Sequence, residues 1–427
     1  MVGVALLWAA PAQAQPDEGA VLAVADLGWP AATSAATVRT RAPILETAER
    51  GKRIAVVAPG TRVTWRRIVA SRDACKAWIE LEPRGWACAK DLAPTDRPAA
   101  GPGDPAPAPR WADVRKDGAD AFETVDEIRA ATPAKHVDDR TYVAMSTRTK
   151  PQRIDGVTYV RTDQGWIASD DLSWYSPSSF SGIELAPTAA LDMGWAVARK
   201  PGAKIAVRDA AAPTAPKVRE LAPRDLVTIL ETSNDMARIG DRAWVELVEL
   251  RRPERAARPD GVGVGERWID VDLDQQVLIA YEGDVPVFVT VISSGRTLWE
   301  TPTGIYRIAG KEAKSRMQYQ GKPGADVDDE RANAAWNVAE VPYSMRFRKN
   351  FALHGTYWHD GFGRARSHGC VNLSTSDAKR LYDWVSPSAP AGWTGVEASG
   401  DGTAVRIHSR RDPSPAWRDY AGKLVAP

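Results

Sequence analysis

Two octapeptides constrain this chain most. Gly85-Trp86-Ala87-Cys88-Ala89-Lys90-Asp91-Leu92 and Gly165-Trp166-Ile167-Ala168-Ser169-Asp170-Asp171-Leu172 are close copies, and Trp244 to Leu250 closes in the same way. The endings recur about every 80 residues, which is the period of tandem modules rather than of a solenoid of short units. Each module carries alternating runs such as Arg62-Val63-Thr64-Trp65, Thr158-Tyr159-Val160-Arg161 and Val227-Thr228-Ile229-Leu230. Short alternating runs between Gly, Pro and Asp turns predict small β-barrels or sandwiches. We place the modules at 36–92, 111–175 and 190–250. The repetition also explains 17 tryptophans in a chain with only 6 phenylalanines.

At 427 residues the chain exceeds one ordinary core. Residues 93–110, rich in Pro, Ala and Gly, read as a tether, and 251–264 reads as a second, charged and solvated one. Net charge is +1 with both signs interspersed, which gives nucleic acid no basic surface to bind. Residues 1–14 read as a secretory signal: Val2 to Ala10 is a short apolar core, and Ala12-Gln13-Ala14 is a cleavage site. After it no apolar run is long enough to span a bilayer, so an exported protein of the periplasm or cell wall is expected. Cys75 and Cys88 flank two short strands joined by a turn at 82–85, where an export compartment would let them form a disulfide. Two buried free thiols are the alternative. With that pair made, Cys370 is left as the unpaired thiol.

The last domain, 265–410, is followed by a tail at 411–427 and opens with alternating Ile269, Val271 and Leu273. Val277–Tyr281 then pairs with Val285–Ile292 across a tight turn. Residues 311–340 form a long polar stretch, read as a flap or subsite wall.

Three of the five histidines and the third cysteine fall between His354 and Cys370. A thiol attacks as its thiolate and needs a base, a cation or a helix N-terminus beside it. His354 and His368 are candidate bases. Ser374-Thr375-Ser376-Asp377 has capping-box form and begins a helix through Ala378, Leu381, Tyr382 and Val385, so the positive end of that helix is expected next to Cys370. Spacing alone leaves a zinc site open, because His and Cys are the usual zinc ligands, and equally a buried inert thiol.

His354-Gly355-Thr356, followed by Ser367-His368-Gly369-Cys370-Val371-Asn372, resembles the signature of the L,D-transpeptidase catalytic domain. The resemblance covers about a third of the chain. It implies a β-rich domain with a short helix after the catalytic cysteine, and makes zinc improbable. It further implies Cys370 as nucleophile and His354 as general acid/base, oriented by the Gly355 carbonyl. Ser367, His368 and Gly369 would shape the pocket and the oxyanion-binding backbone. Tyr343, His359, Arg364 and Arg366 are candidates for binding substrate carboxylates, with Asn372 bracing the turn. The implied reaction is acyl transfer from a peptidoglycan stem tetrapeptide through a Cys370 thioester to an amine, with no metal or cofactor. Hydrolysis of the same thioester is the alternative within the enzyme class, and a non-catalytic exported wall-binding protein is the alternative outside it. The upstream modules resemble bacterial SH3-like domains. They are expected either to bind wall polymer or to act as rigid spacers with tryptophan cores. The fold class expected is therefore mainly β and multidomain.

Overall fold

The computed structural model describes residues 19–97, 110–147, 149–319 and 336–427. The expected signal, most of the first tether and the middle of the polar stretch lie outside these residues. The described chain is mostly strand and divides into two compact units. The first holds residues 19–97 together with Ala389–Gly395; the second holds 110–388 and Val396–Pro427.

In the first unit Ala35–Val38 lies between Arg62–Val63 and Leu92–Thr95. A second sheet begins at Val21–Leu22, which pairs antiparallel with Trp65–Ala70. Its strands Ala77–Leu81 and Trp86–Cys88 pair antiparallel, and Cys75 and Cys88 form a disulfide with Cα atoms 5.3 Å apart.

The next two modules, both in the second unit, repeat this topology. Trp111–Val114 lies between Thr141–Ala144 and Leu172–Trp174, and Met193–Ala196 between Leu226–Thr228 and Leu250–Arg251. The recurring sequence endings are one local structure in all three. A strand runs into a single 3-10 turn (Ala89–Asp91, Ser169–Asp171, Leu247–Glu249), and a leucine then starts the closing strand. That leucine is buried each time, as Leu92, Leu172 and Leu250.

The last domain supplies five strands of a six-stranded sheet ordered Ile183–Glu184, Val285–Val291, Val277–Glu282, Arg267–Asp272, Ala404–His408, Gly304–Arg307, and the edge strand Ile183–Glu184 comes from the segment before the third module. Trp268 and Tyr281 stack in its core with ring centroids 4.3 Å apart. The site grows from a different sheet. Gly310–Tyr319 and Trp336–Arg348 pair antiparallel, then Phe351–Gly355 joins antiparallel and Val371–Leu373 parallel. The polar stretch expected to be a flap or subsite wall thus holds, in its described parts, two paired antiparallel strands. Its polar residues mislead because Lys311 is buried, donating to the carbonyls of Tyr382 and Val385 at the helix C-terminus.

The helix runs Thr375–Trp384, and the Ser374 hydroxyl accepts from Asp377 N–H at 3.2 Å. The reciprocal half of the capping box is not used. The buried Asp377 carboxylate instead accepts from Thr290 Oγ1 at 2.6 Å, Gly182 N at 2.9 Å and Ser181 Oγ at 3.2 Å. It ties the helix to the six-stranded sheet and to the segment preceding the third module.

The segment expected to be a solvated tether is pinned, and so is the tail. In 251–264, Ala256 N–H donates to Tyr281 Oη at 2.9 Å and Arg258 pairs with Asp284 at 3.1 Å, while Val262 is buried. In the tail, Trp417 is buried and its Nε1–H donates to the Asp260 carbonyl at 2.8 Å. The second module is also part of the site's framework. Tyr142 aligns with Val338 in a parallel strand pair, and Trp111 stacks on Tyr357 at 4.6 Å.

Candidate active site

Strand register creates the central arrangement. In the parallel pair of Phe351–Gly355 with Val371–Leu373, His354 lies opposite Asn372, and their side chains meet. Nε2 of His354 is 3.0 Å from Asn372 Nδ2, and Nδ1 is 2.9 Å from the Gly355 carbonyl. The Asn372 Oδ1 is 3.1 Å from Nε2 of His359, whose Nδ1 is 3.2 Å from Gly361 N. The two backbone ends fix every proton between them, because an amide N–H only donates and a carbonyl only accepts. Gly361 N–H donates to His359 Nδ1, and His359 Nε2–H donates to Asn372 Oδ1. Asn372 Nδ2–H in turn donates to His354 Nε2, and His354 Nδ1–H donates to Gly355 O. The resting His354 therefore holds its lone pair at Nε2. All ring nitrogens of both histidines are engaged in this arrangement.

Burial dominates the electrostatics. It pushes His354 down to about 4 against the opposing pull of the Gly355 carbonyl, with His359 adding a smaller depression. His359 is likewise pushed by burial to about 4, against its bond to Asn372. Both imidazoles are neutral near pH 7.

Cys370 is the free cysteine. It immediately precedes the strand Val371–Leu373, which pairs with the strand that carries His354. Its Sγ is 3.8 Å from the Asn350 carbonyl. Burial pushes the thiol up to about 11, and the Ala352 backbone N–H pulls weakly the other way. No hydrogen bond joins Cys370 to His354 in this resting arrangement, since Asn372 occupies Nε2. The expected helix contact is also absent: the strand Val371–Leu373 separates Cys370 from the Ser374 cap. With its pKa pushed up, the thiol is favoured over the thiolate near neutral pH.

The loop before it is tightly braced. Ser367 Oγ donates to the Cys370 carbonyl and accepts from Gly369 N–H at 3.0 Å, while Thr301 Oγ1 donates to the Gly369 carbonyl at 2.8 Å. Gly369 has φ +118°, and a Cβ there would fall 2.6 Å from the Phe351 ring. Gly355 is required for space, since a Cβ would sit 3.0 Å from Pro342 and 3.2 Å from Ala378. The His368 ring stands edge-on to Trp299 at 4.8 Å and over Trp336 at 5.6 Å, with Nε2 3.3 Å from Arg296. It forms part of an aromatic wall with these two tryptophans.

The remaining expected residues divide. His359 and Asn372 join the network of the base. Tyr343 packs against Tyr382 and Lys379 of the helix. Arg364 donates to the carbonyls of Ala198 and Arg199 in the third module, and Arg366 lines a cavity beside them. Sequence reasoning did not find Thr301 or Trp299. Neither carries a local signal, because each acts through a strand pairing distant in sequence.

Cys370 thus sits at the entry to one strand, and the oriented His354 imidazole lies on the strand paired with it. Residues 266–407 match the family model of the YkuD L,D-transpeptidase catalytic domain, so the chain carries that domain over this stretch. Among solved structures, an L,D-transpeptidase of Enterococcus faecium matches at 22% identity over 34% of this chain and 50% of its own, with a TM-score of 0.26. L,D-transpeptidase 3 of Mycobacterium tuberculosis matches at 21% identity over 33% of this chain and 60% of its own, TM-score 0.26. An L,D-transpeptidase of Mycobacterium smegmatis matches at 20% identity over 39% of this chain and 72% of its own, TM-score 0.27. The chain thus spans about half the length of the first of these. No curated protein matches this chain.

Proposed function

We propose that the domain transfers an acyl group from a peptidoglycan stem tetrapeptide, through a thioester on Cys370, to an amine acceptor. The observation that carries this reading is the fixed tautomer of His354: Nδ1–H held by Gly355 O at 2.9 Å leaves Nε2 as a ready proton acceptor. Cys370 attacks the carbonyl that precedes the terminal D-residue while its proton passes to Nε2, which exchanges the Asn372 bond for the thiol. The neutral pair makes charge appear only as the C–S bond forms, so stabilisation falls on the transition state rather than on a resting ion pair. The Cys370 N–H is the nearest oxyanion donor, an interaction worth about 3 kcal/mol. Gly369 N–H is engaged with Ser367 Oγ at rest. Collapse breaks the C–N bond, and the departing D-amino acid takes the proton from the imidazolium. An acceptor amine then attacks the thioester, gives its proton to His354, and frees the thiol.

The Cys75–Cys88 disulfide supports an oxidising, extracytoplasmic setting. Among the described residues no helix is long and apolar enough to cross a membrane. For the modules, burial of Trp78, Trp166 and Trp195 favours tryptophans as core over a polymer-binding surface. The test is incubation of the full chain with stem tetrapeptide and a diamino acceptor peptide. Cross-linked product that vanishes in Cys370→Ala supports the proposal; product that persists in the variant removes it.

A further inference from the structure

Behind the base, where the third module meets the last domain, lies a cavity of about 330 Å³. Its wall includes Arg224, Arg364 and Arg366, with Asp360 the single carboxylate. Asp360 is already committed: it pairs with Arg224 at 2.6 Å and accepts from Ser178. Arg364 is held only by the neutral carbonyls of Ala198 and Arg199. Arg251, just behind the wall, donates to the Gly363 carbonyl at 2.7 Å. The Arg366 guanidinium lies over Gly361, where a Cβ would meet its Nη1 at 2.5 Å. No carboxylate partner is found for Arg251, Arg364 or Arg366 among the described residues.

Concentrating like charge around a cavity is unfavourable unless something anionic fills it. The cost is visible locally. Burial and then neighbouring Arg366 weaken the hold of Arg364 on its proton, and burial and then Arg364 do the same to Arg251. A planar guanidinium fork matches a carboxylate in two parallel hydrogen bonds, which a compact cation cannot do. The cavity also touches the catalytic network directly. His359 lines it, and His359 Nε2–H holds the Asn372 amide whose other end holds His354. An occupant therefore lies one imidazole and one amide away from the base.

We propose that this cavity is a carboxylate-binding subsite, with Arg366 as its principal contact and a free carboxylate of the stem peptide as its ligand. The identity of the ligand rests on the function proposed above; the anion site rests on the cavity and its arginines. Arg366 is exposed, so its replacement leaves the fold intact.

Titration calorimetry on full-length Cys370→Ala, which binds without turnover, provides the test. Three probes are used: stem tetrapeptide with free side-chain carboxylates, the same peptide with those carboxylates amidated, and inorganic phosphate. The free peptide is expected to bind roughly tenfold or more tightly than the amidated one, the loss of one charge-assisted hydrogen bond. Adding Arg366→Gln should erase that difference, and phosphate should compete with the free peptide. Equal affinity for the two peptides, or a difference that survives Arg366→Gln, overturns the subsite. Phosphate that binds through Arg366 without displacing the peptide overturns the stem-peptide assignment and leaves a site for free anions only. Acylation of wild-type Cys370 by the same tetrapeptide, read by mass, separates the two claims. Acylation with no Arg366 effect removes the subsite alone, and an Arg366 effect with no acylation removes the function alone.

Discussion

The Asn372 side-chain amide donates to Nε2 of His354 at 3.0 Å, at the nitrogen proposed to receive the proton of Cys370. The base is thus oriented from both sides, by Gly355 at Nδ1 and by Asn372 at Nε2. The second bond must be surrendered in the reaction. It locks the ring but also competes with the thiol, which makes Asn372 a positioning residue rather than a catalytic one.

Asn372→Asp should separate these effects. A carboxylate beside Nε2 favours a proton there, so the His354 pKa should rise from about 4 and the ring should lose its free lone pair. We expect acylation to fall by roughly two orders of magnitude, the scale of losing general-base assistance. Imidazole NMR titration should show the raised pKa. An unchanged His354 titration would contradict the hydrogen-bond assignment.

His359 should matter although it is remote from the sulfur. His359→Phe leaves Asn372 Oδ1 without its donor and frees the amide to turn. An unsatisfied buried acceptor costs about 1–3 kcal/mol, so thermal stability should drop by that amount. kcat should fall more than KM rises, and His359→Gln, which keeps an N–H, should restore most of both.

The Cys370 thiol should be sluggish toward iodoacetamide near neutral pH. Burial that pushes it up to about 11 puts the rise in alkylation rate well above the range of an ordinary thiol. A rate plateau already reached below pH 7 would mean a resting ion pair with His354.

Stability should fall on the acid side through the buried histidines. Both have folded values near 4 against an ordinary 6.5, so between those limits the unfolded chain binds more protons. Their contribution is fully present above pH 6.5 and is lost as pH falls toward 4. It amounts to at most about 3 kcal/mol for each ring. Denaturant unfolding across this window checks it, and Asn372→Asp, by raising His354, should flatten the slope.

Gly369→Ala should harm the site without any change of chemistry. The position combines φ +118° with a ring carbon 2.6 Å from the incoming Cβ. The backbone cost is about 1–3 kcal/mol, carried by the loop that presents Cys370, so acylation should fall along with melting temperature.

The motif residues are legible in sequence because His354-Gly355 and Ser367 to Asn372 are each continuous, and their spacing matches two adjacent strands. What they touch is not. The link from His354 to Asn372 depends on parallel register, and the link to His359 on a turn that folds back onto it. A helix start close to Cys370 is legible along the chain, but the state of the thiol is not. Three strand residues intervene, and burial, invisible in sequence, sets the sign. The closing turns of the modules were legible because one short pattern, Trp followed by a buried Leu, encodes strand, 3-10 turn and strand each time. The paired strands Gly310–Tyr319 and Trp336–Arg348 were not, because polar residues such as Lys311 are buried there by contact with helix carbonyls.

The most direct test is intact-protein and peptide-level mass spectrometry of the chain after brief exposure to stem tetrapeptide. The account predicts a tripeptidyl adduct on the peptide containing Cys370, stoichiometric release of the terminal D-amino acid, and neither in Cys370→Ala. An adduct on another residue, or release of the D-amino acid at an undiminished rate from the variant, would contradict it.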